Sequence, residues 1–273
     1  MSVSIENTSG IPAAVWVIGL LILAAVVVYA LRRGHNVKIG PIEFESQKDQ
    51  PEKKSPPKTE EKLGLSPSEL KKIDPAADPV QEGIGHLFGT TRDLDYELAF
   101  LYFRRAADAG QRDGIFYLGY MYEKGLHVPI DYQKAMSLFR RAAGQGSSLA
   151  MNNLGFMYEN GLGVEPDFKT AVDWYFKAAD LGEPAAHGNV GRMYKNGKGV
   201  PRDYEKALEY YRKGVSLGDD SSMNNLGVLY EDGLGVPQDL AQAIRLYKEA
   251  AENGNKSAAR ALERLKQSSP ELF

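Results

Sequence analysis

The sequence contains no cysteine among its 273 residues. This absence excludes disulfide frameworks, cysteine-ligated zinc sites, thiol nucleophiles and S-acylation. An excess of charge of one sign is also missing, because 33 basic and 36 acidic residues leave a net charge of -3. This balance indicates neither a nucleic-acid partner nor a disordered acidic tail. Hydrophobic residues, at 43%, are by contrast plentiful enough for a folded core.

Catalytic and metal-binding signatures are lacking as well. His35, His86, His127 and His187 share no metal-ligand spacing, and His187 occupies a register filled elsewhere by Ile or Met, so we expect it to pack in the core. Residues 191–199 resemble a phosphate loop only superficially, since the spacing is one residue too long and glycine replaces Ser or Thr. We therefore predict no catalytic residue, no metal, no cofactor and no enzymatic activity.

One long uncharged run is present near the N-terminus. Residues 11–30 carry no charged side chain, and 20 residues at about 1.5 Å each cross about 30 Å of hydrocarbon. We predict a transmembrane helix at 11–31 after a short extracytoplasmic segment at 1–10. Basic residues follow the span and none precede it, which favours a bacterial inner-membrane protein with its N-terminus out and the rest in the cytoplasm. A periplasmic location of the rest is the alternative. The basic residues are Arg32, Arg33 and Lys38.

A polar tether is predicted at 32–80. Between Ser46 and Lys62 the chain has almost no apolar residue, a composition that cannot offset the entropy of ordering. Ser66-Pro67-Ser68-Glu69 then matches a helix-capping box with proline in the first turn. A short helix at 66–73 is expected there. The role of residues 37–45 stays open.

The strongest pattern in the sequence is a repeat with a constant offset of 36 residues. The pattern keeps its register without a gap through four units, and a degenerate fifth unit precedes them, where Ala99, Phe103 and Gly110 fit. The recurring positions include Leu118-Gly119, Leu154-Gly155, Val190-Gly191 and Leu226-Gly227; Tyr122, Tyr158, Tyr194 and Tyr230; and Phe139, Tyr175, Tyr211 and Tyr247.

Each unit predicts a pair of helices. In residues 150–158 apolar side chains fall at i, i+4 and i+7, which predicts a helix A that ends at Gly161. Asp167, matched at 131, 203 and 239, is expected to cap the helix B that follows. A glycine inside helix A costs about 1 kcal/mol against alanine, so Gly155 and its equivalents are expected to admit a neighbouring helix. Acidic residues beside the helix-ending glycines, Glu159 and Asp232, are expected to be solvated.

The pattern A-x-x-x-LG-x-x-Y-x-x-G-x-GV-x-x-D-[YF]-x-x-A-x-x-[WYF]-x-x-AA-x-x-G resembles the Sel-one-like repeat family, which is related to the tetratricopeptide repeat. The resemblance covers residues 82–267 and implies an all-α solenoid, a right-handed superhelix of antiparallel helix pairs, whose members mostly act as adaptors in membrane-linked complexes and signalling. Cysteine-paired secreted members, reported to act on penicillin-like compounds, are disfavoured here. The predicted units are 82–117, 118–153, 154–189, 190–225 and 226–261, with a cap helix at 256–267 and a tail at 268–273.

One set of residues is a candidate binding surface. Asparagines recur at 36 residues on helix A, on the side expected to line the concave wall of such a solenoid, where amides can hold an extended peptide. The alternative is that each asparagine bonds a backbone group of the next repeat and only holds the stack together. Position 120 varies between units and is expected to set selectivity. The candidates are Asn153, Asn189, Asn225, Asn152, Asn224, Tyr120, Phe156, Arg192 and Val228.

These observations favour a membrane-anchored scaffold that binds a protein or peptide, with a role in signalling or in the assembly of a membrane complex. A periplasmic or surface-facing repeat protein in cell-envelope assembly is the alternative. A hydrolase of the penicillin-binding type is a second alternative, disfavoured because cysteines and a catalytic constellation are both missing. No nucleic-acid partner is expected, and the partner's identity and the oligomeric state stay open.

Overall fold

A computed structural model describes residues 65–273, which are helical apart from short connections. A short lead-in helix, α1 (Pro67–Leu70), precedes helix pairs that alternate A and B. The A helices are α2 (Pro79–Phe88), α4 (Arg112–Lys124), α6 (Ser148–Asn160), α8 (Pro184–Asn196), α10 (Asp220–Asp232) and α12 (Lys256–Ser268). The B helices are α3 (Tyr96–Asp108), α5 (Tyr132–Gly144), α7 (Phe168–Asp180), α9 (Tyr204–Ser216) and α11 (Leu240–Glu252), and a 3₁₀ turn follows at Pro270–Leu272.

The helix boundaries follow from local capping chemistry. The carboxylate of Asp167 accepts hydrogen bonds from the first free amides of α7, those of Lys169 and Thr170, both at 3.0 Å. α6 ends at Gly161, whose φ of +68° is a left-handed conformation that glycine adopts without strain. Both predictions are confirmed, and each cap recurs. The equivalent caps are Asp131, Asp203 and Asp239, and the equivalent ends are Gly125, Gly197 and Gly233.

Helices A and B of a pair meet where a glycine faces an aromatic ring. A Cβ atom added to Gly155 would lie 2.6 Å from the ring of Tyr175, a separation that only the missing side chain avoids. The predicted role of these glycines is confirmed, since each one admits the fully buried ring of the following B helix. The other contacts are Gly119 with Phe139, Gly191 with Tyr211 and Gly227 with Tyr247.

Successive A helices also touch one another, so they form one layer and the B helices form another. α8 contacts both α9, its own partner, and α10, the next A helix along the chain. Side-chain hydrogen bonds join α6 to α8 directly, for example from Asn189 to Asn152 at 2.8 Å. We call the side of α4, α6, α8 and α10 that carries these bonds the A-helix face. The all-α repeat solenoid that the sequence predicts is confirmed.

α1 is held against the repeats. Ser66 and Glu69 form both hydrogen bonds of the capping box, and α1 spans only Pro67–Leu70 of the predicted 66–73. Arg104 of α3 pairs with Glu69 at 3.0 Å, and the backbone amide of Asp74 donates to the hydroxyl of Tyr102 at 3.0 Å. The end of the predicted tether is therefore packed on α3.

The predicted transmembrane helix at 11–31 and the tether up to residue 64 lie outside the described residues. In the part of the chain that the structure describes, no helix has both the length and the apolar character needed to cross a bilayer.

Candidate functional site

The A-helix face contains a closed polar link between α6 and α8. The guanidinium of Arg192 on α8 donates to both carboxylate oxygens of Glu159 on α6, the Nη2 to Oε2 distance being 2.8 Å. The hydroxyl of Tyr175, on α7, donates to the same carboxylate at 2.8 Å. Burial by itself would raise the pKa of Glu159, but the hydrogen bonds and charge of Arg192, helped by Tyr175, outweigh it and hold that pKa below its ordinary value. The pair is ionised and joins two repeats.

The same link recurs between α10 and α12. Glu231 accepts a hydrogen bond from the hydroxyl of Tyr247 at 2.8 Å and one from Arg264 at 2.8 Å. Arg264 stands 33 residues after Glu231, as Arg192 stands 33 residues after Glu159. A Glu and a Tyr from one repeat and an Arg from the next thus form one polar link between repeats.

Between α8 and α10 this link is missing. Lys195 stands in the register of Glu159 and Glu231, and Val228 stands in the register of the arginines. The hydroxyl of Tyr211, equivalent to that of Tyr175, is fully buried and has no hydrogen-bond partner in the described part of the chain. Burial and the nearby charge of Arg192 lower the pKa of Lys195, with Asp232 opposing them. Lys195 forms no ion pair with any residue of 65–273.

The asparagines of the A-helix face differ between repeats in the same way. Asn153 donates to Glu123 at 3.3 Å, and Asn189 both donates to Asn152 at 2.8 Å and accepts from Arg192 at 2.9 Å. These partners are side chains and not the backbone groups that the alternative interpretation expected. Asn224 and Asn225, on α10, are half-buried, and their amides form no hydrogen bond within residues 65–273.

Two polar hollows lie between α8 and α10. The first has a volume of about 360 Å³, and Asn189 and Arg192 on α8 face Asn224 and Asn225 on α10 across it. The second, of about 350 Å³, is lined by Lys195, Asn196, Arg202, Tyr204, Val228, Asp232 and Leu234. Because the lining residues of α8 and α10 recur every three or four positions, the hollows follow one another along the same helix faces. We call this pair of hollows the α8–α10 groove.

The remaining predicted residues lie at the other end of the A-helix face. The rings of Tyr120 and Phe156 stand 5.6 and 6.0 Å from the ammonium of Lys124, which also pairs with the buried Glu123 at 2.6 Å. Phe156 is 40% exposed. Position 120 therefore has a different environment in each repeat: a ring over Lys124, an ion pair for Arg192, and the groove wall for Val228.

Two sequence-based predictions about charge and packing have different outcomes. The prediction that Glu159 is solvated is wrong: only 8% of the residue is exposed, because Arg192 and Tyr175 enclose it. Asp232 is exposed as predicted. His187 packs in the core as predicted, with 1% exposed and its ring stacked on that of Tyr210.

Sequence reasoning missed the inter-repeat link and its absence at Lys195. The signal was available, since Glu occupies positions 123, 159 and 231 at the 36-residue offset and Lys breaks that series at 195. An arginine 33 residues after two of these glutamates completes the pattern.

Comparison with known proteins agrees with this geometry. The Sel1 repeat family model matches residues 81–111, 112–147, 148–183, 184–219 and 220–255. These units begin with helix A, whereas the predicted units begin at the Leu-Gly pair inside it. No curated protein is significantly similar in sequence.

Solved structures resemble the repeats as well. A Sel1 repeat protein from Oxalobacter formigenes is 33% identical, with 74% of this chain and 84% of that one covered and a TM-score of 0.65. The protective antigen c5321 of uropathogenic Escherichia coli, with an SLR fold, is 32% identical over 70% of this chain and 41% of its own, with a TM-score of 0.57. Immunity protein PA5088 of Pseudomonas aeruginosa, at 20% identity, 70% and 71% coverage and a TM-score of 0.51, shares the fold alone.

Proposed function

Because this chain belongs to the Sel1 repeat family, we propose that it is a membrane-anchored scaffold whose A-helix face holds an extended segment of a partner protein. Sel1 repeat proteins are in general protein-binding scaffolds. The α8–α10 groove is lined by two amides, those of Asn224 and Asn225, that form no hydrogen bond within residues 65–273, and we place the segment there.

One observation carries this proposal. The amides of Asn224 and Asn225 line the groove without a hydrogen bond to any residue of the described part of the chain. An amide offers both a donor and an acceptor, the combination that matches the backbone of an extended peptide. Asn189 already uses both, since it donates to Asn152 and accepts from Arg192. In this proposal the groove between α8 and α10 binds the segment, and the link of Arg192 to Glu159 between α6 and α8 holds the repeats together.

An affinity pull-down from solubilised membranes tests this division. The double variant Asn224→Ala with Asn225→Ala is expected to lose the partner captured by the wild type while keeping its melting temperature, because no internal bond is removed. The matched control, Asn152→Ala with Asn189→Ala, removes a bond between repeats and is expected to melt at a lower temperature. Unchanged capture by the Asn224 and Asn225 variant would reject the groove as the binding site.

The membrane anchor is the second part of the proposal. The uncharged segment 11–31 and the basic residues after it support a single span with the repeats in the cytoplasm of a bacterium. Anchoring would raise the concentration of the bound partner at the membrane. Deletion of 11–31 is expected to move the protein from the membrane pellet to the supernatant. A C-terminal reporter that is active only in the periplasm should stay silent, and its activity would favour the cell-envelope alternative.

A further inference from the structure

The second hollow of the α8–α10 groove is lined by two cations, Lys195 and Arg202, and by one carboxylate, that of Asp232. In the neighbouring links a carboxylate, Glu159 or Glu231, receives the tyrosine hydroxyl and the arginine of the next repeat. At the equivalent registers stand a cation, Lys195, which lines the second hollow, and Tyr211, whose hydroxyl is buried behind that lining with no hydrogen-bond partner among residues 65–273. The position occupied by an anion in the two flanking links is thus without one here.

The groups around Lys195 do not supply that anion. Arg192 lies one turn away, but its guanidinium is already held by Glu159. Arg202 adds a second positive charge to the lining of the hollow. Asp232 is the one carboxylate in that lining, and it forms no ion pair with Lys195 in the described part of the chain. The balance of charge in this second hollow is therefore positive, whereas the first hollow is lined by the carboxylate of Asp219 as well as by Arg192.

We propose that the hollow beside Lys195 binds a carboxylate side chain of an acidic segment in the partner, while Asn224 and Asn225 hold the backbone of that segment. This inference rests on the proposed function, since it names the chemistry of the segment that the groove receives. A carboxylate there accepts hydrogen bonds from the Lys195 ammonium and replaces the internal Glu of the flanking links. Burial and the charge of Arg192 lower the pKa of Lys195 and Asp232 opposes them, so a carboxylate beside the ammonium would favour its charged form.

The dimensions set the length of the ligand. α8 and α10 have 13 residues each, so the groove runs for about 20 Å. An extended chain covers that length with about six residues at roughly 3.3 Å each. Hexaglutamate with an amidated C-terminus is therefore a suitable probe, and amidated hexaglutamine is its uncharged counterpart.

The test measures binding of dye-labelled hexaglutamate to the full chain in a neutral detergent by fluorescence anisotropy. The wild type is expected to bind hexaglutamate and not hexaglutamine, with affinity that falls between about 50 mM and about 300 mM salt. Lys195→Glu is expected to weaken binding about tenfold or more, since it exchanges attraction for repulsion. Its melting temperature should be unchanged or higher, because the new carboxylate can accept a hydrogen bond from the hydroxyl of Tyr211. A lost fold therefore cannot account for lost binding.

Lys169→Glu is the matched control, because Lys169 is exposed on the B helix α7 and the change in net charge is the same. It is expected to bind hexaglutamate as the wild type does. Equal binding by Lys195→Glu and wild type would overturn the inference, as would equal binding of hexaglutamine and hexaglutamate. If Asn224→Ala with Asn225→Ala loses the cellular partner while Lys195→Glu keeps it, the carboxylate inference fails and the proposed function stands. If both variants keep the partner, both fail.

Discussion

The step from α6 to α8 and the step from α8 to α10 differ in the chemistry between the helices, and α8 also packs more closely on α10 than on α6. In the first step Glu159, Arg192 and Tyr175 satisfy one another. In the second, Lys195, Val228 and Tyr211 occupy the same registers, and within residues 65–273 Lys195 has no ion pair and the Tyr211 hydroxyl has no hydrogen bond. Within each helix pair on either side of both steps, the glycine of helix A still packs against the aromatic ring of helix B. The polar link between two repeats can therefore be absent at one step while the helix pairs on both sides keep their packing.

We call the α6–α8 step, with its link of Glu159, Arg192 and Tyr175, the closed step, and the α8–α10 step, which lacks that link, the open step. The largest expected effect comes from breaking the closed step. Glu159→Ala leaves Arg192 half-buried without its counter-ion and Tyr175 buried without an acceptor, and we expect a loss of about 3 kcal/mol in the free energy of unfolding. Lys195→Ala, at the same register of the open step, should change that free energy by less than about 1 kcal/mol. Urea unfolding of both variants measures the difference. Equal losses would show that the two steps do not differ.

Removing a tyrosine hydroxyl from each step compares the two steps by a smaller change than removing a charged side chain. Tyr175→Phe deletes a hydrogen bond to a carboxylate and is expected to cost about 1.5 kcal/mol. Tyr211→Phe deletes a buried hydroxyl without a partner, so the free energy of unfolding should stay the same or rise. Thermal unfolding of the two single variants is sufficient. A loss for Tyr211→Phe as large as that for Tyr175→Phe would contradict the open step.

The missing polar link between α8 and α10 can also be built by mutation. Lys195→Glu combined with Val228→Arg rebuilds the residues of the α6 to α8 link, and we expect a gain of about 1 kcal/mol in the free energy of unfolding. The single change Val228→Arg, which places two cations together, should lower it. A double-mutant cycle measures the coupling. No coupling between the two positions would mean that the rebuilt pair does not form.

A smaller, pH-dependent difference comes from His187 on α8, whose register holds Met151 on α6 and Met223 on α10. Burial lowers the pKa of His187; Lys213 lowers it further, and Asp180 and Asp219 oppose this. The unfolded chain thus binds more protons than the folded chain below its ordinary pKa of about 6.5. Stability therefore falls as the pH drops through that value, by at most about 0.8 kcal/mol at pH 6.

His187→Met is expected to remove this part of the pH dependence. Glu159 acts in a lower window: its pKa is depressed by folding, so its contribution is full above the ordinary value near 4.5 and declines only as the pH falls through the folded pKa. Melting temperatures of wild type and His187→Met between pH 5 and 8 test the separation. Parallel curves for the two proteins would exclude His187 as the cause.

Most of the fold could be read from periodic residues. The Leu-Gly pairs, the Asp caps and the glycine ends repeat at one offset, and each acts within its own helix pair, so no knowledge of distant contacts was needed. The candidate site was harder to predict. Arg192 looked like a variable surface position because its partner, Glu159, lies in the preceding repeat, and Glu159 looked solvated because its enclosing residues are 16 and 33 positions away.

By itself the sequence determined the helix pairs, their caps and their glycine and aromatic contacts, since these depend on side chains a few positions or one constant offset apart. Only the tertiary structure decided which polar side chains on the A-helix face are already used. Hydrogen bonds are satisfied across repeats, and a Glu, a Tyr and an Arg close a link only when three helices bring them within 3 Å. The asparagines at 189 and 225 look alike along the chain, and they differ because one has a neighbour to bond and the other does not.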